Sequence, residues 1–127
     1  MRPFAEFEII GLPWTINQKN TKHWAVRGNH ARLWKKLVLE QCIFLEIQGL
    51  RLKSCELILT RYSSRECDFD NLASSFKHVI DGLVEAEVII DDKPSVIGSP
   101  TFQWQKCKKG EGKISVRLYR ESSGKDE

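Results

Sequence analysis

In Leu57-Ile58-Leu59-Thr60-Arg61-Tyr62-Ser63-Ser64-Arg65-Glu66-Cys67-Asp68-Phe69-Asp70-Asn71-Leu72 a strand pattern gives way to a helical one. From Leu52 to Tyr62, Cys55, Leu57 and Leu59 fall on one face of an extended segment and Ile58, Thr60 and Tyr62 on the other. Ser63, Ser64 and Arg65 make a polar break. Asp70-Asn71 is a helix start signal, and Leu72, Phe76, Val79, Ile80 and Leu83 then recur at helical spacing, which predicts a helix of about four turns. The short apolar run Val88-Ile89-Ile90 ends at Asp91-Asp92. If that run joins the same sheet, it brings the second acidic pair beside the first.

Upstream, Phe4 to Leu12 nearly alternates, which predicts a first strand that Pro13 ends. Trp14 to Gly28 has no clean period, but Asn17, Lys19, Asn20, Lys22, His23, Trp24 and Arg27 are a composition suited to phosphate and sugar contacts. Asn29 is the expected N-cap of a helix running to about Gln48, with Gly49 as its stop. Leu33, Trp34, Leu37, Val38, Cys42 and Leu45 form its core stripe. Leu39, Ile43, Phe44 and Ile47 widen that stripe and point to a second covering surface, such as another subunit.

Downstream, Pro94 breaks the chain, and Ser95 to Lys106 reads as a strand interrupted by Gly98 and Pro100. Lys108-Lys109-Gly110-Glu111-Gly112 reads as a hairpin turn returning through Ile114, Val116 and Leu118. Glu121 to Glu127 lacks apolar anchors and is expected to be disordered. The expectation is one α+β domain over residues 1–120, a mixed β-sheet packed with two main helices.

The 127 residues, 41% of them apolar, are the size of one domain that buries its own core. No apolar run approaches the ~20 residues that cross a bilayer, so neither a membrane span nor a signal peptide is expected, and the expected location is cytoplasmic. Cys42, Cys55, Cys67 and Cys107 are dispersed, without zinc-ligand spacing, and are expected to be reduced. His23, His30 and His78 read as surface or packing residues.

The overall charge of +3 conceals an uneven distribution. From Glu66 to Asp92, eight acids stand against one base, Lys77, a net −7, so the rest of the chain carries +10. Bases that hold phosphates and carboxylates that hold a cation suit a metal-dependent enzyme acting on a polyanion.

Residues two apart in an extended segment point the same way, so Asp68 and Asp70 could converge at the C-terminal edge of a sheet. With Asp91 and Asp92 they would offer hard oxygen donors for Mg²⁺ or Mn²⁺. Without a cation, two carboxylates at ~4 Å would repel by about 4 kcal/mol at an effective dielectric of 20.

Cys67-Asp68-Phe69-Asp70-Asn71-Leu72, followed by Lys77, Asp81, Leu83 and Asp91-Asp92, resembles the motif of RusA-type Holliday-junction resolvases. These are small homodimeric Mg²⁺-dependent endonucleases of bacteria and their phages, with a D-x-D-N-L motif, a lysine on the next helix and a later D-D pair. The order of elements is similar from Ile9 to Leu118, and the specific match lies between Asp68 and Asp92. The resemblance implies a RusA-like, dimer-forming fold. It makes Asp68, Asp70 and Asp92 metal-binding and catalytic, Asp91 a supporting metal ligand, and Lys77 the essential lysine.

In the family's best-known form the lysine stands four residues after the second aspartate, where this chain has Ser74. Lys77 instead keeps the family's spacing of four to Asp81, which implies three extra residues near the helix start. Pro13-Trp14 and Asn17 resemble the family's opening loop, with Thr15 and Ile16 where prolines are usual.

The implied activity is hydrolysis of a phosphodiester in branched double-stranded DNA, leaving a 5′-phosphate and a 3′-hydroxyl. The cation, Mg²⁺ with Mn²⁺ as a substitute, would activate water, and Lys77 would stabilise the transition state. Symmetric resolution of a four-way junction needs two sites related by a two-fold axis, hence a homodimer. Arg27, Arg32, Lys35, Lys36, Lys106, Lys108, Lys109 and Lys113 could track the phosphates. The alternatives are a non-catalytic, metal-stabilised DNA-binding module and a D-x-D phosphatase. The phosphatase expects a threonine where Leu72 stands.

Overall fold

Alternation sets the first strand, β1 (Ala5–Ile10): Ala5, Phe7 and Ile9 are buried, whereas Glu6, Glu8 and Ile10 are exposed. The computed structural model describes residues 2–120, and the expected disorder of Glu121 to Glu127 lies outside the described residues. After β1 come α1 (Ile16–Lys19), α2 (Trp24–Phe44), β2 (Glu56–Ser63), α3 (Phe69–Ser75), α4 (Lys77–Glu85), α5 (Pro94–Ile97), β3 (Thr101–Lys106) and β4 (Lys113–Tyr119). The architecture is α+β, with a four-stranded mixed sheet in the order β1-β4-β2-β3.

The β1–β4 and β4–β2 pairs are antiparallel, while β2 and β3 run parallel. Register places Phe7, Val116, Leu59 and Phe102 in one row across the sheet, and Ile9, Ile114, Arg61 and Trp104 in the row two residues on. These rows share a face because strand side chains alternate. Trp34, Val38 and Cys42 of α2 join Leu72, Phe76, Val79 and Leu83 of α3 and α4 in the core with that face. The opposite face carries cross-strand polar pairs, Lys113 with Glu8, Arg117 with Glu6 and Thr60 with Gln103. It is the solvated face of a largely antiparallel sheet.

The structure corrects several boundaries. The long helix begins at Trp24 rather than after Asn29, because His23 Nδ1 accepts the Ala25 N–H and caps it. It ends at Phe44, and Glu46, Arg51 and Glu87 adopt positive φ in the turns around it. Leu33, expected in the stripe, is half exposed; His30, Trp34, Val38 and Cys42 form the buried row at four-residue spacing.

The single four-turn helix is instead two helices, α3 and α4, broken at Phe76. Ser74 Oγ donates to the Asn71 carbonyl at 3.1 Å and Ser75 Oγ to the Leu72 carbonyl at 2.8 Å. Such local bonds compete with the helical ladder and bend it.

The strand expected from Leu52 starts at Glu56. Leu52 pairs with Ile89 in an isolated parallel bridge, so Val88-Ile89-Ile90 does not join the four-stranded sheet. Val88 and Ile89 are nonetheless fully buried, which explains the apolar run. The strand expected over Ser95 to Lys106 is a short helix, α5, followed by β3. The turn at Lys108 to Gly112 does not make a hairpin, because β4 lies between β1 and β2, and β2 separates it from β3.

Candidate functional site

The segment after Pro13 is bonded onto the D-x-D-N-L motif. Thr15 caps α1: its side chain accepts the Gln18 N–H, and Gln18 returns the bond to the Thr15 N–H at 2.9 Å. This capping box fixes a short helix that would be marginal alone. From it, the Ile16 N–H donates to Ser74 Oγ at 3.0 Å, the Asn17 N–H to Asn71 Oδ1 at 3.2 Å, and Lys19 Nζ to the Ser74 carbonyl at 3.2 Å. Three polar contacts therefore seat the amide-rich loop on α3.

Asn71 continues the chain of bonds to the first aspartate. Asp68 Oδ1 accepts the Asn71 N–H at 2.9 Å and the Asn71 Nδ2–H at 3.0 Å. Asp68 is the N-cap of α3, and Asp70 lies in the first helical turn. Their proximity therefore follows from a helix start, not from two same-side positions on a strand as expected. Both residues are exposed.

Lys77 opens α4, largely exposed, 3.6 Å from Asp81 Oδ2. His78 Nδ1 lies 3.7 Å from the same oxygen, without a hydrogen bond. Asp91 accepts the Asp92 N–H at 2.7 Å, which holds its carboxyl below the usual range. Asp92 lines a shallow groove of about 280 Å³ with Lys35, Asp81, Val84 and Glu85.

Among the described residues no three or more His, Cys, Asp or Glu side chains form a group that could hold a metal ion. Asp68 and Asp70 are thus not joined with Asp91 and Asp92 in a preassembled centre. The donor chemistry of the exposed Asp68 and Asp70 still fits a Mg²⁺ ion, which binds through one or two carboxylates and completes its shell with water and phosphate oxygens.

Of the histidines expected at the surface or in packing, His30 and His78 pack edge to face, and His30 also accepts a hydrogen bond. His30 Nε2 accepts the Trp14 N–H at 3.0 Å, and the two rings stack with centroids 3.9 Å apart. Burial, reinforced by His78 and Lys19, lowers the His30 pKa from 6.5 to about 4. Burial also lowers the pKa of His78 and of Lys19, the latter helped by the charge of Lys77. The loop is held against α2 by an imidazole that must be neutral to accept.

Arg61 was not singled out by the sequence pattern, although it continues the odd-numbered face of Leu57 and Leu59 into the core. It is 5% exposed and its Nη1 donates to the Pro13 carbonyl at 2.6 Å. It lines an open cleft of about 440 Å³ with Asn17, Ser63, Arg65, Glu66 and Asn71. Burial pushes the neighbouring Cys67 thiol up, which keeps it neutral.

Of the proposed phosphate-tracking bases, Arg27, Arg32, Lys36, Lys106, Lys108 and Lys109 are exposed. Lys35 is paired with Glu85 at 3.0 Å and Lys113 with Glu8 at 3.1 Å. Cys42, Cys67 and Cys107 are free thiols, Cys42 buried and the other two partly exposed. No helix among the described residues is long and apolar enough to cross a membrane. The sequence matches no protein-family model, and no curated protein is similar to it.

Proposed function

We propose that the chain is a Mg²⁺-dependent, structure-selective endodeoxyribonuclease that resolves four-way DNA junctions as a homodimer. The observation that carries this proposal is the docking of the Trp14–Lys22 loop on the D-x-D-N-L motif through Asn71 and Ser74, with Asp68 and Asp70 exposed beside a cleft containing Arg61 and Arg65. Two segments far apart in sequence, both singled out by the RusA-type resemblance, support it by meeting in space.

A cation taken up by Asp68 and Asp70 together with the substrate would polarise water and offset charge on the phosphate. The protein's own groups orient that event. Asn71 fixes the Asp68 carboxylate through two N–H donors, and the ammonium of Lys77 lies on the next helix, paired with Asp81. Along α2, Val26, Leu33 and Phe44 are exposed, Phe44 at 81%, and Leu37 is half-buried between them at heptad-like intervals. A second copy would cover this stripe and supply the second cutting site.

A non-catalytic DNA-binding module is the second reading, favoured by the absence of a preassembled carboxylate group among the described residues. Asp70→Asn separates the two. With synthetic four-way junctions and Mg²⁺, the nuclease reading expects wild-type cleavage and at least a hundredfold loss in Asp70→Asn with binding retained. A wild-type protein that binds junctions without cutting them leaves the binding module.

A further inference from the structure

We propose that the cleft between the Trp14–Lys22 loop and the C-terminal end of β2 is a phosphate-binding site, in which Arg61 receives a backbone phosphodiester of the DNA. The inference rests on the junction-nuclease reading for the identity of its ligand, but the site itself is argued from the fold.

Register places Arg61 in a row with Ile9, Ile114 and Trp104, on the face of the sheet that the helices cover. A guanidinium in that row is taken out of water, and a buried cation normally has a carboxylate partner. Arg61 has none within ion-pair distance among the described residues, and its one hydrogen bond there goes to the Pro13 carbonyl. That bond uses Nη1, one of three nitrogens that together carry five N–H donors in a planar fork matched to phosphate oxygens.

The cleft is open to solvent and polar, with Thr15, Ser63 and Asn71 among its buried walls and Arg65 at its edge. Glu66 also lines it, exposed, without an ion pair to Arg61. Asn71 forms part of the wall and also holds Asp68, so a phosphate on Arg61 stands next to the aspartate motif. The same guanidinium ties down Pro13, the residue at which the loop begins. Phosphate binding and loop placement therefore share one side chain.

The test uses the full chain in two arms. In the first, inorganic phosphate is titrated into ¹⁵N-arginine-labelled protein, and the Arg61 Nε–H resonance, assigned through Arg61→Lys, is expected to shift. In the second, four-way junction binding is measured in EDTA as a function of salt. Arg61→Gln is expected to bind about tenfold more weakly, with a salt slope smaller by about one counter-ion.

Ser64→Glu, at the cleft wall and away from the Pro13 contact, is expected to weaken binding similarly and keeps the test valid if Arg61→Gln unfolds. A resonance that moves with phosphate, while both variants keep the wild-type slope and affinity, assigns the cleft to free phosphate and overturns the backbone proposal. No movement in either arm overturns the site altogether. Arg61-dependent binding by a wild type that never cuts junctions supports the site and removes the nuclease reading. Cleavage that is indifferent to both variants does the reverse.

Discussion

Lys19 donates its ammonium to the Ser74 carbonyl at 3.2 Å, so the position four residues after Asp70 is met by a lysine from another element. Lys19 is 8% exposed, and its charge neutralises carbonyl oxygens left at the broken end of α3. Lys77, three residues beyond Ser74, is largely exposed to solvent, and on the proposed reading it is the lysine that meets the substrate. The two lysines should therefore fail in opposite ways. Lys19→Met is expected to lose about 1–3 kcal/mol of stability in urea titrations, the scale of a lost charge-assisted bond. Lys77→Met should stay within about 0.5 kcal/mol of wild type, because exposed pairs contribute little, yet lower junction cleavage about a hundredfold.

Asp68 combines a capping role with its proposed chemical one, and substitution can part them. Asp68→Asn keeps a side-chain oxygen for the Asn71 N–H, so its thermal stability should remain close to wild type while cleavage falls. Asp68→Ala removes the cap and should cost about 1 kcal/mol in addition. Equal cleavage by wild type and Asp68→Asn would show that the carboxylate serves the helix alone.

His30 makes stability depend on pH. Its pKa falls from 6.5 to about 4 on folding, so between those values the unfolded chain holds a proton that the folded ring refuses. Stability is complete above about pH 6.5, declines as the pH drops through the window, and has lost this contribution by about pH 4. The loss is about 3 kcal/mol if the whole shift is expressed. His78, lowered in the same direction, adds to it. Melting curves from pH 7 to 4 should show the decline, and His30→Gln should flatten it.

Gly82 sets the approach of α4 to α2. A Cβ there would lie 2.9 Å from the Val38 Cβ and 3.3 Å from the Lys35 Cα. Gly82→Ala must push the helices apart and is expected to cost about 1–3 kcal/mol, measurable by chemical denaturation.

The exposed stripe on α2 bears on assembly. Phe44→Glu or Leu33→Glu should convert a dimer into a monomer in sedimentation velocity, with each folded chain intact, because both side chains lie outside the monomer core. A wild type that sediments as a monomer would remove the proposed dimer, and a dimer unchanged by either substitution would place its contact elsewhere.

Local pattern was enough to reveal the alternating strands β1, β2 and β4, the apolar stripe of α2 and a helix starting near Asp70-Asn71, although the N-cap proves to be Asp68, which the pattern had placed in an extended segment. Each depends on periodicity or capping within a few residues, and that information is carried by neighbours in the chain. The same reasoning missed the split at Phe76, where two serine hydroxyls compete with the ladder, and the early start of α2, where a histidine does the capping.

Strand order lay beyond local pattern. Lys108–Gly112 has the chemistry of a turn, yet whether β4 returns beside β3 or beside β2 depends on which edges the folded sheet has left open. Arg61 shows the same division for the candidate site. Its place on the Leu57–Leu59 face follows from a period of two. That this face there meets Pro13, Asn71 and an open cleft depends on the loop folding back from 48 residues away in sequence. Composition and spacing determined the alternating strands, the stripe of the long helix and the acidic motif, whereas the meeting of motif, loop and buried arginine was decided by long-range packing, which no sequence window contains.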